Sequence, residues 1–236
     1  MPPKMIFFQD KYQHSCPYLD DRKSRNLYPD PSQLMSQEKY DDLIQLGFRR
    51  SGDLCYRPYC AECQACIPIR INTASFSRNR SQKRCIRRNQ NIRLQYKDMA
   101  FTDEYYQLYR RYLNAQHADS TMANPTEKSY RDFLLSHWCQ VKCLELREEG
   151  RLLAVAVTDV VKNGLSALYT FYDPTYRQRS LGTYAILQQI QWAASHNLSY
   201  LYLGYYIGDC RKMAYKKQFS AAEYLINHQW QKLSLE

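Results

Sequence analysis

Glycine is scarce in this chain, at seven of 236 residues, so few positions can turn on left-handed backbone or bring main chain close to a phosphate. The glycine-rich signatures of nucleotide chemistry are missing too: there is no GxxxxGK[ST] loop and no GxGxxG opening a strand–helix unit. HExxH and GxSxG are absent, and the five histidines show no ligand spacing, which sets aside zincins and elbow-type serine hydrolases. No run of about 18 apolar residues occurs, which excludes a membrane-spanning helix. The opening MPPKMIFFQDKYQ has neither a long apolar core nor a small-residue cleavage site, so a cytoplasmic protein without a membrane partner is expected. There is no internal repeat and no low-complexity segment.

What is abundant is positive charge and tyrosine. The formal net charge is +10 and there are 22 tyrosines. Phosphates attract the cations and rings stack on bases, so a nucleic-acid partner fits; an ordinary soluble basic protein fits the charge alone equally well. The nine cysteines are an odd number. In a reducing compartment they are thiols or metal ligands rather than a disulfide framework.

Two parts are distinguished by composition, a cysteine-rich N-terminal domain over 1–71 and a larger domain over 72–236. The first holds one clear helix, from Pro31-Ser32 to Leu46, with Ser32 or Ser36 as cap and Gly47 closing it. Cys60, Cys63 and Cys66 follow at CxxCxxC spacing and lead into the strand-like Ile67–Ile71. With Cys16 or Cys55 as a fourth ligand they suit a zinc ion or an iron–sulfur cluster. The alternative is that they are small apolar packing residues or reactive thiols.

Residues 73–95 are the most basic stretch: Arg78, Arg80, Lys83, Arg84, Arg87, Arg88 and Arg93, with no acid between them. That is either a phosphate-binding strip or a plain basic linker. A helix is predicted over Asp103–Ala118 and another from Asn124-Pro125 to Trp138. Three strands follow at Val141–Arg147, Arg151–Val161 and Leu165–Asp173, turning at Glu149-Gly150 and Asn163-Gly164. Then come a helix (Ser180–His196), a strand (Tyr200–Ile207), a short helix (Asp209–Lys217) and a last strand (Ala222–Trp230). This order predicts an α+β sheet with helices packed on it.

Leu165–Tyr184 is the most informative stretch. A buried strand ends at Asp173-Pro174, and the basic turn Arg177-Gln178-Arg179 feeds a helix whose cap is Ser180. Arginines and a glycine at a helix N-terminus suit an anion. Arg179-Ser180-Leu181-Gly182 resembles the pyrophosphate loop of GNAT acyltransferases, although Tyr184 replaces its final small residue and argues against coenzyme A itself.

Seven segments then occur in one order: CPYLDDR (16–22), GFRRSGDLCYRP (47–58), CxxCxxC with IPIR (60–70), LSALYTFYDP (165–174), RSLGTYAIL (179–187), LYLGYYI (201–207) and KMAYKKQF (212–219). Together they resemble the aminoacyl-tRNA–protein transferases of the arginyltransferase family, most closely the bacterial aspartate/glutamate leucyltransferase branch. The resemblance implies a GNAT-like mixed sheet flanked by helices beside the cysteine-rich domain. It implies transfer of leucine from leucyl-tRNA to proteins with N-terminal Asp or Glu, marking them for N-degron degradation, by a monomer that needs no cofactor for transfer. On that reading Arg84, Arg87, Arg88, Arg177, Arg179 and Gly182 hold tRNA, and Arg22, Arg49 and Arg50 hold the acidic acceptor. Tyr205, Tyr206 or a water takes the amine proton, and Cys16, Cys60, Cys63 and Cys66 are the metal set. Eukaryotic relatives carry a further cysteine where this chain has Leu19. Three other readings stand beside it: an arginyl-tRNA–protein transferase, a non-catalytic metal-stabilised RNA-binding protein, and an acetyl-CoA-dependent GNAT enzyme.

Overall fold

Among the described residues the chain forms a four-stranded sheet, an eight-stranded sheet and a two-stranded pair, which share no strand. The structure, a computed structural model, describes residues 5–116 and 124–232. Its N-terminal part contains β1 (Phe7–Gln9), β2 (His14–Ser15), β3 (Lys23–Ser24), β4 (Asn26–Pro29), α1 (Gln37–Gln45), β5 (Arg49–Ser51) and β6 (Leu54–Pro58). Strands β1-β4-β6-β5 form a four-stranded sheet, and β2 pairs with β3. Helix α1 starts where Ser36 accepts the Lys39 amide at 3.3 Å and buries Tyr40, Leu43 and Ile44.

The remainder comprises β7 (Ile67–Asn72), α2 (Arg80–Arg88), β8 (Arg93–Asp98), α3 (Asp103–Gln116), α4 (Glu127–Leu134), β9 (Val141–Glu148), β10 (Arg151–Val161), β11 (Gly164–Tyr172), α5 (Leu181–Ser195), β12 (Tyr200–Tyr206), α6 (Arg211–Ala214), β13 (Ala222–Ile226) and β14 (Gln229–Gln231). The large sheet has eight strands in the order β14-β13-β7-β12-β11-β10-β9-β8. Only β11 and β12 run parallel, joined by α5 as a crossover; all other neighbours are antiparallel. This is the expected α+β mixed sheet flanked by helices. Strand β7 lies inside it, between β13 and β12, although it closes the cysteine-rich stretch of the sequence.

Alternation along β10 sends Val155, Val157 and Val161 to one face and Ala154 and Ala156 to the other. On the first face α1, α3 and α4 bring Tyr40, Tyr109, Tyr130 and Leu134; on the second α5 and α2 bring Leu181, Ala185, Ile190 and Cys85. Most tyrosines of α3 and α4 are therefore core, their rings meeting edge to face, as Tyr109 does with Tyr130 at 5.1 Å. Among the described residues no helix is long and apolar enough to cross a membrane.

The structure departs from the sequence expectations in several elements, among them α1, which starts at Gln37 rather than at Pro31-Ser32. The basic stretch contains a helix, α2, capped by Asn79 and Gln82 in a reciprocal capping box. The helix expected from Asn124 to Trp138 is shorter, because Thr126 and Ser129 cap it and it stops at Leu134. The last strand is a hairpin: Asn227 and His228 both take positive φ, a turn for which Asn-His gives a weaker signal than Asn-Gly. The end of the helix expected to reach Ala118 lies outside the described residues.

The N-terminal sheet is fastened to the large one through Arg50. Its guanidinium is fully buried, donates to Asp159 Oδ1 from Nε at 2.8 Å and from Nη2 at 2.5 Å, and also reaches the Gly52 and Leu134 carbonyls. Tyr40 donates to the other carboxylate oxygen at 3.1 Å. Removing one partner strands the other charge in the core, so Arg50→Met is expected to cost about 3–5 kcal/mol in denaturant unfolding. A loss under about 1 kcal/mol would show that the pair is not the fastening described.

Candidate functional site

The parallel pair at the centre of the sheet comes apart. β11 and β12 pair at Gly164–Tyr200, Leu165–Leu201 and Ser166–Tyr202, and their ladder then ends. On its other side β12 shifts register against β7 between Tyr202 and Tyr205. Gly204 sits in that bulge with φ +72°. Arg49 fills the opening: its Nη2 donates to the Leu168 carbonyl of β11 at 3.2 Å. Glycine is needed at 204 for the positive φ and for room, since a Cβ there would stand 2.7 Å from Arg49 Nη1. The guanidinium carbon lies 5.8 Å from the Tyr205 ring centre, and Arg49 Nε is buried with no hydrogen-bond partner.

A second cation stands beside it. Lys216, in the single 3₁₀ turn after α6, is 4% exposed, and its Nζ donates to the Tyr205 carbonyl at 2.5 Å and contacts Met213 Sδ at 3.3 Å. Burial, and then the Arg49 charge, push the Lys216 ammonium down to about 7, with the Cys210 and Cys66 thiols opposing weakly. Among the described residues no carboxylate pairs with either Arg49 or Lys216. Asp159 is close enough to feel Arg49, but its oxygens are held by Arg50 and Tyr40.

A cleft of about 790 Å³ opens between the N-terminal strands and the β13–β14 turn. Arg22, Lys23 and Arg57 line it, with no Asp or Glu on its wall. Neither Arg49 nor Lys216 lies on its wall; of the wall residues, Tyr18 is within electrostatic reach of Arg49 and Cys66 of Lys216.

The residues singled out from sequence fall into distinct places. Arg22 is exposed on the cleft wall and Arg49 is in the opening between β11 and β12. Arg50, expected to meet an acceptor, is instead the buried partner of Asp159 and cannot reach one. Tyr205 is not a proton acceptor: it is buried, its hydroxyl donates to the Gly47 carbonyl at 3.0 Å, and burial raises its phenol well above the ordinary value. Tyr206 is half-buried against the Tyr224 ring at 5.6 Å.

Cys16, Cys60, Cys63 and Cys66 all line the cleft, and burial followed by the neighbouring thiols pushes Cys66 up to about 12. Among the described residues, however, no three His, Cys, Asp or Glu side chains are placed to hold one ion. The expected zinc or cluster set is not assembled in this arrangement.

The basic strip and the turn before α5 are brought together. α2 packs on α5, Asn89 Nδ2 donates to the Arg179 carbonyl at 3.0 Å, and Arg88 donates to the Gln178 carbonyl. Arg84, Arg87 and Arg177 remain exposed beside one another's elements. Arg179 does not: it is held by Glu148 at 2.7 and 3.0 Å and by Asn89 at 3.0 Å, so it braces the turn. Gly182 lies in the first turn of α5. Ser180, in left-handed backbone, gives that turn no side-chain cap. This turn and the opening beside Arg49 both follow from the carboxyl-end halves of the parallel strands.

Sequence reasoning missed Lys216. It lies in the KMAYKKQF segment beside Lys217 and four residues after Lys212, and nothing in the local pattern distinguishes it from them. Only the packing shows that one of them points inward.

Two family models match the chain, described as "Arginine-tRNA-protein transferase, N terminus" over residues 14–84 and "Arginine-tRNA-protein transferase, C terminus" over residues 104–226. A protein of Saccharophagus degradans named aspartate/glutamate leucyltransferase is 47% identical over 218 residues, 92% of each chain. One of the same name from Pseudomonas fluorescens is 48% identical over 217 residues, again 92% of each. Among solved structures FemX is similar with a TM-score of 0.49 and 10% identity, over 85% of this chain and 69% of that one.

The lowered Lys216 value has a consequence for stability. Between about pH 7 and the unfolded lysine value the unfolded chain holds a proton that the native chain has lost, so stability contributed at this site rises with pH. Thermal melts of wild type and Lys216→Met from pH 6.5 to 9.5 are expected to show the variant more stable at the acid end and the difference shrinking toward the alkaline end. A difference independent of pH would contradict the lowered value.

Proposed function

The chain belongs to the arginine-tRNA–protein transferase family, and we infer that it transfers leucine from a charged tRNA to the N-terminal aspartate or glutamate of an acceptor protein. The observation that carries donor and acceptor is identity of 47–48%, over 92% of the chain, to proteins of that name.

The geometry supports a division of labour. The exposed Arg84, Arg87 and Arg177 offer a positive surface for the tRNA backbone, next to the first turn of α5 where Gly182 leaves main chain uncovered. The acceptor N-terminus enters from the acid-free cleft past Arg22. The aminoacyl ester and the amine then meet near the opening beside Arg49. The ester is already activated, so transfer calls for no ATP, no covalent enzyme intermediate and no cofactor. An α-amino group has an ordinary pKa near 7.7–8.0, so roughly a tenth is neutral at pH 7 and competent to attack. The protein's task is then chiefly to hold amine and ester in line and to exclude water. The amine nitrogen bonds to the leucyl carbonyl carbon, the ester C–O bond breaks, and the terminal ribose hydroxyl leaves with a proton. Marking the acceptor for N-degron degradation is the consequence of the new leucine.

The test is incubation with tRNA carrying labelled leucine and a peptide beginning with Asp, which is expected to yield labelled peptide. Label appearing only from arginyl-tRNA would move the chain to the arginyl branch. Arg87→Ala and Arg177→Ala are expected to raise the KM for charged tRNA. Each should also flatten its salt dependence by a slope of about one. An unchanged tRNA KM in both would remove this surface from the proposal.

A further inference from the structure

We propose that Arg49 and Lys216 together are the receptor for the carboxylate of the acceptor's N-terminal side chain, with Lys216 the residue that makes the site selective for acid. The proposal rests on the acceptor reading above and deepens it.

Two cations reach adjacent residues of β12, Arg49 at Gly204 and Lys216 at Tyr205, and among the described residues no carboxylate is paired with either, which is costly unless a ligand supplies one. Among the described residues Arg49 uses one strong donor, Nη2, on the Leu168 carbonyl, and its Nε is buried and unpartnered. Lys216 Nζ meets only a carbonyl and a thioether, neither of which neutralises it. The groups facing Lys216 are Arg49 from β5, the Tyr205 main chain from β12, Met213, and the Cys66 and Cys210 thiols; none is an acid. A planar carboxylate would take hydrogen bonds from the free guanidinium donor and the ammonium together.

The surroundings of the pair bear on the ligand. The neighbouring cleft carries Arg22, Lys23 and Arg57 and, among the described residues, no acid on its wall, so an anion is favoured there. The pair itself is largely enclosed, which suits a small terminal side chain and not a phosphodiester with a ribose on either side. Phosphates have the exposed arginines of α2 and the turn instead. The flexible stem of lysine absorbs the one-methylene difference between Asp and Glu. An amide in place of the acid would turn a donor toward two cations and leave both charges unpaired.

The test compares leucine transfer to two peptides that differ only in beginning with Asp or Asn, using wild type, Lys216→Met and Lys216→Gln. Methionine matches the lysine stem in length, and a melt confirms that each variant is folded. The Asp-to-Asn ratio of kcat/KM is expected to fall roughly 30-fold or more in both variants, with the loss in the KM of the Asp peptide. An equal slowing of both peptides, or a rise confined to the KM for charged tRNA, would overturn the assignment. If wild type leucylates neither peptide, the acceptor reading itself fails and takes this proposal with it.

Discussion

Two neighbouring arginines on one three-residue strand do opposite things, and much of the site's architecture follows from that. Successive strand residues point to opposite sides, so Arg49 and Arg50 cannot share a fate. Arg50 meets Asp159 in the core and ties the N-terminal sheet to β10 of the large one. Arg49 enters the place where β11 and β12 part, using a carbonyl that the parallel ladder no longer occupies. Without the first the two sheets would not be registered against each other. With it, the second is held where, among the described residues, no carboxylate pairs with it.

The same economy governs the anion corner. Arg179 looks from sequence like a phosphate ligand but is neutralised by Glu148, whose carboxyl it holds below the usual range. Its contribution is to fix the turn, so that Arg177 is left outside and α2 docks through Asn89 and Arg88. Positive charge at the surface and positive charge in the opening are thus separated, one set exposed and unspecific, the other enclosed and short of an anion.

How much was legible in the sequence differs between fold and site. The three-strand meander, its turns, α1 and α5 were readable because apolar periodicity and turn residues act locally. The parallel pairing of β11 with β12 and the inward placement of β7 depend on long-range contacts that no local pattern carries. Of the site residues, burial and partners could not be read from the motifs. Arg50 and Tyr205 lie in recognised motifs, yet one is an ion-pair partner in the core and the other a buried hydroxyl on the Gly47 carbonyl. The residue most unusual in its surroundings, Lys216, was hidden among like charges, because composition does not reveal which of three lysines faces inward.

The cysteines show the same limit. Their spacing is metal-like and all four expected ligands line one cleft, but convergence on a cleft is a weaker condition than tetrahedral placement around an ion.

The decisive quantity is the charge state of Lys216 with and without an acceptor. Nuclear magnetic resonance of the lysine side chain, with Lys216→Met to assign the signal, would follow its titration in the free protein and with a peptide beginning with Asp. A midpoint near 7 in the free protein, moving upward with the Asp peptide and not with its Asn counterpart, is the predicted result. An ordinary lysine titration indifferent to both peptides would contradict the view that the opening between β11 and β12 is built around a missing anion.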